Sequence, residues 1–402
     1  MKQQNSLTVA FYQSLLVFQD VFDSTSLWYI LSSLVGSVDV EKYYFYQLIL
    51  SSAGGVVGCL SLPILIHIKG LRPSLILGAF SKLLCVVSIA TSFYFNSLPL
   101  FLISKFLGGI FEVSDLVLNT ECIYISDSST INHNLSVREF LYGFCSLVIC
   151  AMVEWLYFKM EVGAIPIMLT CMLLVSGLTF FLSLNYKASP HCRKADFSSW
   201  KLPSISTKTL MGLAPFFIFH LIFQLSEILL PVVLAKNLLK KTVEVMVVTS
   251  HITTIMEVLT VLYGLSFAYL LHKSNAYKVR IAGCLILIAQ AFATFYGVLV
   301  PTSYRLAIMY AYSIYGMLEA SYDIDALEVI GETSYKSTPY FCSILALLPS
   351  IARFTNAFIM RLITLHHLLN AAAFITVALH VLLVYFEVQK QLNAKSENDS
   401  CT

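Results

Sequence analysis

The chain has 402 residues, of which 58% are hydrophobic and 12% charged, and its formal net charge is +2; its mean hydropathy is +0.79. A soluble domain carries about 25% charged residues, so this composition excludes an ordinary soluble globular protein and indicates a polytopic membrane protein. With so small a net charge and no block of like charge, the chain offers no footprint for nucleic acid.

A membrane span needs about 20 apolar residues. Twelve stretches qualify: 9–33, 44–67, 73–95, 98–122, 138–158, 163–185, 209–235, 244–270, 279–300, 304–325, 339–361 and 367–388. All are predicted to be helical, because lipid offers backbone groups no outside partner. The runs lack the strict alternation of barrel strands. No cleavable signal precedes the first, which reads as a retained span.

Ionisable groups inside a membrane cost about 2.5–3.5 kcal/mol each, so they normally face a cavity or a partner. In span 1, "FQDVFDS" places Gln19, Asp20 and Asp23 near mid-depth, with Asp23 a helical neighbour of both others. In span 4, "GGIFEVSDLVLN" spaces Glu112, Asp115 and Asn119 by three and four residues. In span 7, "FHLIFQLSEILLP" spaces His220, Gln224 and Glu227 by four and three. Span 10 carries Glu319. Spans 1, 4, 7 and 10 are corresponding members of three-helix repeats, so one central aqueous cavity would satisfy all four polar strips.

Other intramembrane polar residues are supporting candidates. Lys105 sits two turns before Glu112 on the same face, where it could neutralise that carboxylate. Glu154 on span 5, with His251 and Glu257 on span 8, are further intramembrane polar residues. Arg353 on span 11 could hold an anionic solute, or bridge to Glu319 or Glu257.

The longest polar stretch, 187–208, divides the chain into an N-terminal six-helix bundle (1–186) and a C-terminal one (209–390), followed by a tail at 391–402. If the N-terminus is inside, fifteen Lys and Arg fall in inner segments, seven in outer ones and three within spans, accounting for all 25. The positive-inside rule then puts both termini in the cytoplasm. The ten cysteines avoid the outer loops, so no external disulfide is expected and most read as small buried hydrophobes.

This layout resembles the major facilitator superfamily, whose twelve helices form two six-helix bundles and whose first, fourth, seventh and tenth helices line the pathway. In that family the fifth and eighth helices flank the pathway, so the resemblance would set Glu154, His251 and Glu257 beside it. That family's loop between helices 2 and 3 reads Gly-x-x-x-Asp-Arg-x-Gly-Arg-Arg. Here "PILIHIKGLR" keeps Gly70 and Arg72 as an inner gating loop, with Pro63 and His67 replacing the first Gly and the Asp. "KFLGG" offers Lys105 and Gly109 where the fourth helix often has Arg-x-x-x-Gly. The Gly/Pro-rich fifth-helix pattern of drug antiporters is missing from "FLYGFCSLVICAMVEW". A narrower likeness joins "YISDSS" and Arg138 to the Tyr-x-x-Asp and Arg segment of the proton-coupled folate transporter family, solute carrier family 46.

The resemblance implies a secondary active transporter for a small organic solute, working by alternating access and coupled to protons in symport. Burial disfavours charge, so Asp20, Asp23, Glu112, Asp115, His220 and Glu227 are candidates to exchange protons near physiological or mildly acidic pH. The expected partners are the solute, protons and the lipid of a plasma or acidic-organelle membrane, with a monomer as the working unit. No HExxH, no clustered His/Cys ligands and no phosphate loop occur, so neither enzyme chemistry nor a cofactor or metal is expected. The alternative is a transport-incompetent, carrier-like sensor or scaffold.

Overall fold

A computed structural model describes residues 26–36, 39–111, 114–126, 131–187, 206–234, 242–269, 276–295, 302–331, 337–362 and 365–400. Among them every regular element is helical. The helices are α1 (Ser26–Val35), α2 (Val40–Lys69), α3 (Leu71–Tyr94), α4 (Leu98–Phe111), α5 (Ser114–Ile125), α6 (Ile131–Met160) and α7 (Ala164–Leu184). They continue with α8 (Thr207–Val233), α9 (Thr242–Tyr269), α10 (Ala276–Phe295), α11 (Thr302–Met309), α12 (Ile314–Gly331), α13 (Thr338–Leu362) and α14 (Leu365–Ser400).

These helices fall on all twelve predicted spans. Span 4 is built from α4 and α5, and span 10 from α11 and α12 joined by a 3-10 turn, Tyr310–Ser313. That turn is held from outside, because Ser313 Oγ donates to the Ile252 carbonyl of α9 at 3.0 Å. Seven of the described helices are individually long and apolar enough to cross a membrane. Their outer faces carry exposed Leu60, Trp155, Leu174 and Phe181, apolar surface that belongs against lipid.

The two bundles meet along two seams, α2 against α13 and α6 against α9. Stepping six spans along the chain turns α2 into α9 and α13 into α6, so one seam becomes the other. This exchange is what two related six-helix units require. At the first seam Ser343 Oγ donates to the Cys59 carbonyl, and Gly55 lies against Ser350.

Inside the first bundle, α2 and α4 approach backbone to backbone. A Cβ on Gly109 would stand 1.9 Å from the Ser51 carbonyl oxygen, and one on Gly54 2.1 Å from that of Phe106. Small residues permit such crossings where lipid supplies no hydrophobic drive between helices. Gly109→Val is therefore expected to destabilise the fold by at least about 1–3 kcal/mol through overpacking. Gly177→Ala, whose new Cβ meets nothing within 4 Å, should leave the thermal midpoint in detergent unchanged.

The second bundle hides a charge network that its sequence disguises. Arg280 was counted with the inner-loop cations, yet it lies in α10 and is 3% exposed. Its guanidinium contacts Glu387 Oε1 of α14 and Asp325 Oδ2 of α12, both at 3.0 Å, and also donates to Glu387 Oε2 and Ser321 Oγ at 3.0 Å. Tyr263 OH donates to the same Ser321 hydroxyl at 2.8 Å, and Lys390 reaches Asp325 at 3.2 Å. Three helices, α10, α12 and α14, are thus pinned at one end by charge-assisted bonds. The eight cysteines among the described residues are free thiols.

Candidate functional site

Helix α8 starts where Ser206 accepts the Thr209 N–H on its hydroxyl at 3.0 Å, satisfying one of the orphan donors of the first turn. From there its apolar face packs on α12, with Phe219 stacked on Tyr322 at 4.9 Å and Phe223 near Tyr315 at 5.4 Å. That aromatic seam fixes the rotation of α8. His220, Gln224 and Glu227 therefore share one strip, as their spacing predicts.

The strip borders a central cavity of about 250 Å³. Its walls come from α2 (Gly55, Cys59), α5 (Asn119), α8 (Phe216, His220, Gln224), α12 (Glu319, Asp323) and α13 (Cys342, Ser350, Arg353). Two polar couples stand in or beside the wall. His220 Nε2 lies 3.1 Å from Asp323 Oδ1, which selects the tautomer with its proton on Nε2 when the imidazole is neutral. Arg353 donates through Nε to Gln224 Oε1 at 2.6 Å and approaches Glu227 with Nη2 at 3.6 Å. Asn356, one turn further, donates to the Leu221 carbonyl at 3.5 Å.

Five of the eleven predicted pathway residues line this cavity: Asn119, His220, Gln224, Glu319 and Arg353. Glu227 joins them through its pair with Arg353, which meets neither Glu319 nor Glu257 in an ion pair with a described distance. Gln19, Asp20, Asp23 and Glu112 lie outside the described residues, as does the side chain of Asp115. Among the flanking candidates, Lys105 is buried with its ammonium over the Phe101 ring at 5.4 Å, and Glu257 is buried on α9. Glu154 is half-buried on α6. His251 is exposed and its Nδ1 is 3.1 Å from the Tyr310 hydroxyl.

At the loop between α2 and α3, Gly70 adopts φ 89° and serves both helices at once. Its N–H closes α2 on Ile66 O at 2.8 Å, and its carbonyl accepts Ser74 Oγ at 2.9 Å. Left-handed backbone of this kind favours glycine. Arg72 reaches across to the Leu184 carbonyl at 2.8 Å, where a cation suits the exposed carbonyls that end α7.

No family model matches the sequence, and no curated protein matches it. Solved structures do. The chain superposes on the human organic anion transporter MFSD10 with a TM-score of 0.69 and 13% identity, covering 96% of this chain and 99% of that one. It superposes on the proton:xylose symporter XylE with a TM-score of 0.71 and 13% identity, covering 97% and 96%; XylE is a protein of E. coli. A bacterial homologue of the iron transporter ferroportin gives 0.67 and 10% identity, covering 96% and 98%.

The chain has the major facilitator fold. Near end-to-end coverage of proteins sharing so little sequence identity shows this architecture and nothing finer. None of these likenesses extends to the folate transporter family. Within the major facilitator fold the cavity draws on spans 2 and 11 as well as on 4, 7 and 10, so the polar strips of the sequence captured part of its wall. The main omission is Asp323. Its signal was present, since it follows Glu319 by four residues on the same helical face. Phe216, four residues before His220 with ring centroids 4.2 Å apart, carried a similar signal. Among the described residues no group of three or more His, Cys, Asp or Glu is placed to hold a metal ion.

Proposed function

We propose that this chain is a secondary active transporter that carries a small organic solute by alternating access, with a proton moving in the same direction. The observation that carries the reading is the His220–Asp323 pair, a titratable couple set into the wall of a central cavity between α8 and α12. A neutral imidazole hydrogen-bonded to a carboxylate can accept a proton and become an imidazolium–carboxylate pair. The couple so holds a proton next to the solute without exposing an isolated charge to the membrane interior.

The pathway is formed by Asn119, His220, Gln224, Glu227, Glu319 and Arg353, with the strips of spans 1 and 4 facing it from the other bundle. The units 1–186 and 209–390 act as the two rocking bodies, joined at 187–208, with the tail at 391–402. Their motion opens and closes the α2–α13 and α6–α9 seams in turn. Gly70 and Arg72 tie the inner end of α7 to the α2–α3 turn during that motion. Both termini face the cytoplasm of a plasma or acidic-organelle membrane, and the monomer is the working unit.

Proton movement driven by solute tests the reading. Proteoliposomes loaded with a pH-sensitive dye are given candidate solutes one at a time. A carrier of this kind acidifies the lumen on addition of its solute, and His220→Gln removes the signal. A folded protein that binds solute yet never moves protons or solute would favour the sensor or scaffold instead.

A further inference from the structure

One carboxyl group in the cavity wall has no described partner. Arg353 is engaged by Gln224 and Glu227, and Asp323 by His220. Glu319 lines the same cavity and has no described hydrogen bond or ion pair. The carboxyl groups of Asp323, Glu227, Glu257 and Glu139, on α12, α8, α9 and α6, act on it, and the Arg353 guanidinium lines the same cavity. Of these, Glu139 has a cation of its own, Arg138 at 3.4 Å.

Two further acceptor atoms on wall residues, both closed off from solvent, have no hydrogen-bond partner among the described residues. His220 is 6% exposed, and its Nδ1 has no hydrogen-bond partner among the described residues. With the proton of the neutral ring on Nε2 facing Asp323, Nδ1 is an acceptor. Asn119 Oδ1 is likewise buried and without a partner. The Glu319 carboxyl group at the cavity and two acceptor atoms on wall residues, on His220 and Asn119, therefore lack a described donor. A buried acceptor left unmade costs about 1–3 kcal/mol, so the ligand that fits best brings N–H groups and a positive charge.

We infer that the transported solute is a small organic cation, an amine whose ammonium group binds Glu319, with Asn119 Oδ1 as a further acceptor and His220 Nδ1 as another while the ring is neutral. The inference rests on the transporter reading above and names its substrate class. Water occupies about 30 Å³ per molecule in the liquid, so a cavity of about 250 Å³ holds roughly eight waters' worth of solute in this conformation. That suits a simple amine and is small against the about 300–1,000 Å³ of pockets for drug-sized ligands. The coupling proton sits on the His220–Asp323 couple and the solute ammonium on Glu319, so both can ride together.

The test is binding to the purified full chain in detergent by titration calorimetry. The probes are three sets, each varying charge on a matched skeleton: phenethylamine, 2-phenylethanol and phenylacetate, with butylamine, butanol and butyrate, and ethanolamine, ethylene glycol and glycolate. The amines are expected to bind at least about tenfold tighter than their neutral and anionic counterparts. Glu319→Gln should erase that preference, Glu319→Asp should retain most of it, and Arg353→Gln should not reverse it. Tighter binding of the carboxylates, an amine preference that survives Glu319→Gln in protein that elutes as a single folded species, or no binding by any set would overturn the inference. Uptake of the same probes separates the two levels. Gradient-driven uptake of an anion or a neutral solute would sink the cation inference and leave a carrier standing. Amine binding without any uptake would keep the site and remove the transporter.

Discussion

His220→Gln is expected to abolish concentrative uptake while leaving downhill solute exchange in place. A pH gradient of one unit is worth about 1.36 kcal/mol per proton, which for one proton per solute supports about tenfold accumulation with the membrane potential clamped at zero. Glutamine keeps a donor near Asp323, 3.1 Å from the imidazole in the native chain, but cannot take up a proton. The accumulation ratio in the variant should fall to about one, independent of pH, while counterflow of preloaded solute continues. Asp323→Asn should behave alike, because it removes the other half of the couple. A His220→Gln protein that still accumulates solute tenfold per pH unit would show that the proton travels elsewhere.

Arg280→Leu should be the most damaging single substitution to stability. It would strip the partner from Glu387, which is 2% exposed, and one partner from Asp325. Breaking a buried pair by removing one side costs about 3–5 kcal/mol, because a desolvated charge is left behind. Asp325 retains Lys390 at 3.2 Å, so most of the loss should fall on the α10–α14 contact that Glu387 makes. The double change Arg280→Met with Glu387→Met leaves no such orphan and is expected to recover much of the stability. Thermal midpoints of the purified variants in one detergent check both statements. Equal damage from the single and double changes would mean that packing, not the uncompensated carboxylate, sets the cost.

These two clusters also mark where the sequence could be read and where it could not. Hydropathy located the spans because each must satisfy its own backbone in lipid, and that information is local. The strip on α8 was legible for the same reason, as His220, Gln224 and Glu227 sit on one helix at fixed spacing. The partners were not. Asp323 is 103 residues from His220, Gln224 is 129 from Arg353, and Glu387 is 107 from Arg280. One sequence carries no mark of which distant helix will face which. Arg280 shows the cost. In "AYKVRIAG" it looks like a loop cation at the edge of a span, and only the fold brings the buried carboxylates that hold it inside. Arg353 was read as an anion anchor or a bridge to Glu319 or Glu257, and the arrangement of α8 against α13 adds Gln224 and Glu227, which the sequence did not mark as its partners. The break within span 10 was equally hidden, since a 3-10 turn held by a neighbouring helix leaves the hydropathy profile unbroken.

Accumulation of a labelled panel of amines, organic anions including folates, sugars and amino acids into proteoliposomes, with the pH gradient imposed or collapsed, tests the central claim most directly. The account predicts that a small amine accumulates only while the gradient stands, and that His220→Gln flattens the response. Accumulation of nothing, by protein shown to be folded and reconstituted, would contradict it.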